Sequence, residues 1–311
     1  MTCSRCKKKE LIELPYIQQK LCPDCFTKFF EKRVRRTIRC YNLLETEDRT
    51  AIALSGGKDS MTVLTILKSL SKKAPKSKLF AIMVDEGSPG YRDKLIKTAA
   101  NYCEKIEVPY HIYSFKEELG MTIIDIMKKA EKLGNPMPAC TYCGVFRRQL
   151  LNQKARELGA TKIATGHNLD DECQTALMNF LKGDAYRIAR AGAMVGVIKN
   201  KLFVSRIKPL RETPESEVKL YTELKNIPTT YASCPLNKDA FRVYIKKLLN
   251  EMEVRYPGIK YQILGSVDEI IPILRGHYYG LGESPSVCKK CGEVSSSDEC
   301  KFCQLKKALG L

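Results

Sequence analysis

The chain has 311 residues, 44% of them hydrophobic, and its 53 Lys and Arg against 35 Asp and Glu leave a formal net charge of +18. Its longest apolar runs, such as residues 79–84, fall far short of the roughly 20 residues a membrane span needs. A cysteine pair stands where a signal segment would be charged and then apolar. These features exclude membrane and secreted readings and predict a cytoplasmic protein. The positive excess points to a polyanionic partner, with nucleic acid ahead of anionic lipid.

In chain order, the first element is a cysteine module over residues 1–30. Cys3-x2-Cys6 and, after fifteen residues, Cys22-x2-Cys25 form one four-thiolate set. Two such knuckles complete a tetrahedron around Zn²⁺, and metal binding would supply much of the folding free energy of so small a unit. A basic segment follows, with Lys32, Arg33, Arg35, Arg36 and Arg39 spread over more than one helical face, as phosphate tracking tolerates.

Residues 31–213 then alternate apolar runs with helical spacing. Strands are predicted at 51–54, 79–84, 111–113 and 162–165, and helices at 60–70, 92–106, 122–133, 145–158 and 170–180. This alternation implies an α/β domain whose parallel sheet is covered on both faces. Thr213 reads as an N-cap with Pro214 at the first helical position, opening a more helical part over 214–280. Residues 281–311 repeat the opening: Cys288-x2-Cys291, eight residues, then Cys300-x2-Cys303, a second zinc module.

Ala51-Ile52-Ala53-Leu54 runs into Ser55-Gly56-Gly57-Lys58-Asp59-Ser60, with a helix after it. A strand, a glycine turn and a helix N-terminus aim free N–H groups and the helix dipole at an anion. The spacing is not that of the Walker loop. Elsewhere, Cys140-x2-Cys143 opens a helix, with Arg147 one turn further on, and Val84-Asp85 ends the second strand on the rim where open α/β sheets bind ligands. Gly166 lies on the same rim. Asp171 stands at the next helix start, where it could hold Mg²⁺ or cap the helix, a role Asp170 could equally serve.

Several of these segments together resemble one family over nearly the whole chain: both knuckle sets, SGGKDS at 55–60, CTYCGVFRR at 140–148, TGHNLDDE at 165–172 and Cys234. The loop is similar to that of PP-loop ATP pyrophosphatases, and the chain resembles the TtuA/TtcA group of tRNA 2-thiolation enzymes. The resemblance implies a Rossmann-like adenine-nucleotide α-hydrolase fold, ATP with Mg²⁺, and a tRNA uridine as acceptor. It implies that Leu54, Ser55, Gly56, Gly57, Lys58, Asp59, Ser60, Val84, Asp85, Arg147, Gly166 and Asp171 bind the nucleotide and its metal. It further implies that Asp59 and Asp171 act with Cys140, Cys143 and Cys234 in catalysis.

Grouping those three cysteines also comes from the resemblance. Three thiolates can hold a [4Fe-4S] cluster with one iron free of protein ligand, open to exogenous sulfur and prone to loss as [3Fe-4S]. A persulfide-bearing redox pair and a third zinc site with a water ligand are the alternatives. Asp85-Glu86-Gly87, Gly90-Tyr91-Arg92-Asp93 and residues 177–184 resemble the branch that thiolates the wobble uridine; T-loop thiolation is the alternative. Expected partners are tRNA, a sulfur donor (a ubiquitin-like thiocarboxylated protein or inorganic sulfide) and a second copy of the chain. Lysidine-type amination needs no cluster, and a non-catalytic tRNA-binding subunit would be expected to carry a decayed loop.

Overall fold

The computed structural model describes every residue except 1, 10, 135, 196–202, 231–233, 237–239, 280–285 and 296. Strands β1 (Ile12–Leu14) and β2 (Gln19–Leu21) form an antiparallel hairpin that leads into helix α1 (Pro23–Cys40). Strand β3 (Arg49–Ala53), α2 (Lys58–Ser71), β4 (Lys78–Asp85), α3 (Arg92–Lys105) and β5 (Tyr110–Ser114) follow. Next come α4 (Phe115–Leu119), α5 (Ile123–Lys132), α6 (Ala139–Glu157), β6 (Lys162–Ala164), α7 (Leu169–Leu181) and α8 (Ala185–Ala189). Strands β7 (Met194–Val195) and β8 (Ser205–Ile207) and helices α9 (Glu215–Leu224), α10 (Ala240–Arg255) and α11 (Ile259–Tyr279) complete the larger part. The chain closes on β9 (Ser286–Val287), β10 (Val294–Ser295) and α12 (Lys301–Ala308).

The main sheet runs β5-β4-β3-β6-β8-β7, parallel except at β7, which pairs antiparallel with β8. Both faces are covered, as the near-continuous apolar strands require. Ala81 and Met83 of β4 pack into the core shared with α1, α2 and α3, while Phe80 and Ile82 face a second cluster that includes Ala155 of α6. After β3 the chain steps outward to β4 and β5, then returns to lay β6 on the other side of β3. The reversal opens a crevice at the C-terminal ends of β3 and β6, where sheets of this kind take ligands.

The terminal modules are fastened to this domain. Phe26, Phe30 and Val34 bury one face of α1, and Phe30 stacks on Tyr221 of α9 at 4.2 Å. Arg33 is spent internally: its side chain is 9% exposed, sits on Glu217 at 3.0 Å and leaves α1 with one phosphate-tracking cation fewer than expected. At the other end, Phe302 of α12 meets Phe146 of α6 edge-on at 5.5 Å, and Leu305 and Leu309 join the α6 core. Buried Glu293 accepts from Asn152 at 2.9 Å and pairs with Arg156, both on α6. The expected module boundary near residue 280 lies outside the described residues.

Two capping expectations are corrected. Pro214, not Thr213, is the N-cap of α9, and the helix starts at Glu215. The cap arrives from another helix: Asp170 Oδ2 accepts from the Glu215 N–H at 2.7 Å, while Thr213 Oγ1 is buried with no hydrogen-bond partner. Asp170 therefore does not cap α7, and it also pairs with buried Lys260. Asn168 is the α7 cap, three residues ahead of Asp171 as a capping box demands.

Arg211 is the largest fully buried side chain. It forms a two-pronged pair with Asp268 of α11, both bonds 2.8 Å, and lies over the Tyr41 ring at 4.7 Å. Cutting one partner out of such a pair leaves an uncompensated charge, so Arg211→Ala is expected to lose about 3–5 kcal/mol of stability. An unchanged urea midpoint in Arg211→Ala would show that α11 is held by other contacts.

Candidate active site

The nucleotide-type loop is built by its own hydroxyls. Ser60 Oγ, in the first turn of α2, accepts from the Ser55 N–H at 3.1 Å and lies 2.9 Å from Ser55 Oγ. Ser55 Oγ in turn accepts from the Gly57 N–H at 3.3 Å. Gly56 has φ +81°, and a Cβ there would stand 2.5 Å from the Leu95 carbonyl oxygen. Gly166, beyond β6, presses so closely on α2 that a Cβ would lie 2.7 Å from the Ser60 nitrogen. Both glycines are therefore fixed by close backbone approach.

This loop forms one end of a cavity of about 500 Å³. Of the residues singled out in the sequence, Leu54, Ser55, Gly57, Asp59, Ser60, Val84, Cys140, Cys143, Arg147, Gly166, Asp171 and Cys234 line it. Gly56, Lys58 and Asp85 are not in the lining: Lys58 reaches Asp59 at 2.9 Å and Glu215 at 3.0 Å, and Asp85 accepts from the Gly87 N–H at 2.8 Å. Asp59 also accepts from Asn168 Nδ2 at 2.9 Å, which joins the loop to the α7 cap. Burial pushes Asp171 up to about 6, with the nearby Asp59 carboxylate adding to the rise.

Glu86 and Arg92 entered the sequence reading only as part of a motif, yet they organise the cavity wall. Glu86 is 7% exposed and binds Arg92 at 2.8 Å and Arg147 at 3.0 Å. Arg92 also donates to the Val84 and Ser55 carbonyls, each at 2.6 Å through a terminal nitrogen. Their signal in sequence was only a carboxylate just past a strand and an arginine at the next helix start, and both are common on surfaces. Arg147 keeps 43% of its side chain exposed, so it can still face a ligand.

Arg148, Arg206 and His167 line the same cavity and were not assigned a role. Burial, then the guanidiniums of Arg148 and Arg190, push Arg206 down to about 10. Burial and neighbouring cations hold His167 down to about 3, so its ring stays neutral with Nδ1 2.8 Å from Thr165 Oγ1. Burial raises the Cys143 thiol to about 12, against the pull of Arg147.

The cysteines divide by geometry. Cys3, Cys6, Cys22 and Cys25 place all their sulfurs within 4.8 Å of one another, and so do Cys288, Cys291, Cys300 and Cys303. Sulfur pairs at 3.4, 3.6 and 3.7 Å fit four thiolates around a single tetrahedral ion. Backbone N–H groups also point at Cys300 Sγ from Cys303 at 3.4 Å and at Cys288 Sγ from Cys300 at 3.3 Å, and against the opposing effect of burial such bonds lower the Cys288 thiol to about 6. Cys140, Cys143 and Cys234 share the cavity but do not form such a close set among the described residues.

The PP-loop domain family matches residues 27–251. The chain belongs to the PP-loop family. A tRNA 2-thiolation protein, NcsA, of Haloferax volcanii is 37% identical over 99% of each chain. The cytoplasmic tRNA 2-thiolation protein 1 of Aspergillus niger is 34% identical over 99% of this chain and 88% of its own. Among solved structures, the U34-tRNA thiolase NcsA of Methanococcus maripaludis with its [4Fe-4S] cluster is 33% identical. It matches with a TM-score of 0.86, covering 100% of this chain and 97% of its own. No helix among the described residues is long and apolar enough to cross a membrane.

The PP-loop geometry sets a test. Gly56→Ala forces a side chain into left-handed backbone, which costs about 1–2 kcal/mol before the collision with Leu95 is counted. ATP binding by this variant is expected to weaken at least about tenfold with the rest of the fold intact, by calorimetric titration. Undiminished binding would mean that the Gly56 turn is not the phosphate cradle.

Proposed function

We propose that this chain is an ATP-dependent tRNA uridine 2-sulfurtransferase that acts on the wobble uridine. The observation that carries the reading is one cavity that holds both a PP-loop and three cysteines outside the two four-cysteine sites. Adenylation alone needs no such thiols. The names of the relatives, which are thiolation proteins of archaea and of the fungal cytoplasm, support the acceptor and the base.

In this reading the free N–H groups at the start of α2, with the Ser55 and Ser60 hydroxyls, hold the pyrophosphate of ATP. Arg147 stands on the wall to meet phosphate charge, while Asp59 and Asp171 are the carboxylates placed to take Mg²⁺, which would neutralise charge on the leaving pyrophosphate. The uridine 2-carbonyl oxygen attacks the α-phosphate, and pyrophosphate leaves. Sulfide then adds at C2, and AMP departs with the original oxygen. Activation is needed because oxide is a very poor leaving group and AMP is a good one.

Cys140, Cys143 and Cys234 would hold a [4Fe-4S] cluster. Bound there, the cluster would offer an iron free of protein thiolate to carry the incoming sulfur. The two four-cysteine sets suit structural zinc. Buried Val84 and Ile123, with neutral His167, line the space between loop and cysteines and would limit access of bulk water to the activated base.

Cys234→Ala is expected to abolish the cluster and thiolation while leaving zinc in both modules, read by iron, sulfide and zinc counts on anaerobically prepared protein. Thiolation that survives this change would overturn the cluster role. Asp59→Ala is expected to lose pyrophosphate release on unmodified tRNA yet keep its iron. Mapping sulfur by mass spectrometry in tRNA from cells lacking the protein checks the base: the wobble position should lose it. Loss from the T loop instead would reassign the acceptor.

A further inference from the structure

Beyond the cavity lies a second cleft, of about 360 Å³, between α7, α8 and α10. Its lining carries Lys182, Arg187, Arg190, Lys208 and Arg242, with no carboxylate in the lining. The nearby acids are few. Glu172 takes Lys208 at 2.7 Å, and Asp184 takes Arg187 at 3.1 Å. Arg190 lies over the Tyr186 ring at 5.7 Å and Lys182 over Phe241 at 5.1 Å, contacts that hold these two cations in place. Phe180 stands 48% exposed at the end of α7.

The cleft adjoins the active site: Asp171 of α7 lines the cavity and Thr175, one turn on, lines the cleft, while Arg206 and Lys208 at the end of β8 divide between the two in the same way. Arg190 is close enough to Arg206 to depress its pKa, and Arg187 acts in the same way on Arg148. Arg148 and Arg206 both line the cavity, where Arg206 donates to the Arg148 carbonyl at 3.1 Å. Among the described residues, neither has an ion-pair partner. Crowding unpaired guanidiniums costs free energy in the free protein, and that cost is relieved when a polyanion lies along them.

We propose that this cleft is the entry track for a single-stranded RNA backbone, whose phosphates run from Arg187 and Arg190 toward Arg206 while one base is turned out into the cavity. The inference rests on the tRNA reading above and names its docking surface. Unstacked loop nucleotides suit it, because a duplex could not deliver a base so far inward. It relocates RNA from α1, where Arg33 is buried, to the mouth of the catalytic cavity.

The test is binding of an unmodified tRNA transcript, followed by fluorescence anisotropy across a salt series. Arg187→Glu with Arg190→Glu should weaken binding about tenfold or more near physiological salt and lower the salt slope by about 1.5, as expected for two lost phosphate contacts on a single strand. Arg187→Lys with Arg190→Lys should restore most of it. An unchanged circular-dichroism spectrum and urea midpoint serve as the check on folding. Should the reversed-charge protein misfold, Arg187→Gln with Arg190→Gln carries the same expectation at smaller amplitude. If this pair binds like the wild type while Lys32→Glu with Arg36→Glu on α1 weakens binding, the track is wrong and the enzyme reading stands. If the wild type itself fails to bind the transcript, the tRNA reading falls first and takes the track with it.

Discussion

A carboxylate at the end of one strand holds the two halves of the active site in register. Glu86 is buried just beyond β4, an expensive place for a charge unless it is paired and hydrogen-bonded. Arg92 answers it from α3 and, through the Ser55 and Val84 carbonyls, ties the loop that follows β3 to the end of β4. Arg147 answers it from α6, the helix that carries Cys140 and Cys143. The PP-loop and the helix that carries Cys140 and Cys143 are thus braced against one carboxylate. Such a triad adds little net stability, since its pairing energy mostly offsets its desolvation, but breaking it strands a buried charge. Its value lies in geometry.

The C-terminal module extends that bracing. Helix α6 is long, its first turn faces the cavity, and its far end lies on Glu293 and α12. Neither β9 nor β10 exceeds two residues, so a metal ion among the four clustered cysteines would supply the constraint that keeps the module in shape to press on α6. Such an ion would also bear, through α6, on where the two thiols at its other end stand. At the N-terminus, Cys3, Leu14, Leu21 and Cys22 belong to the main core, so the opening module is part of the domain's packing despite its small size.

The parts of this molecule that were legible in sequence are those whose chemistry is local. The PP-loop is one strand, one turn and one helix start, and its glycines and serines fall within six residues. The knuckles are equally local. The parallel strands from Arg49 to Ala164 follow from apolar runs between helical spacings, whereas two- and three-residue strands such as β7 and β8 are too short to show a period. What escaped is held by tertiary partners. Thr213 has the right residue type for a cap, yet the α9 N–H is met by Asp170 from far earlier in the chain. Arg33 looks like surface charge until Glu217 is brought beside it. Spacing could never join Cys234 to Cys140, and only the resemblance did so.

The net charge of +18 makes sense once the acids are followed to their partners. Several surface cations are paired: Lys8 with Asp24, Lys76 with Glu47, Lys246 with Glu215 and Lys289 with Asp298. Exposed pairs of this kind contribute little stability, but they cancel the field around them. Among the described residues, Arg148 and Arg206 in the cavity lining and Arg190 in the second cleft have no carboxylate partner, so part of the surviving field is concentrated there. There the low-dielectric walls of the cavity strengthen it rather than letting water screen it. In the tRNA reading, these cations would draw the RNA backbone toward the cavity that the PP-loop and the three cysteines share.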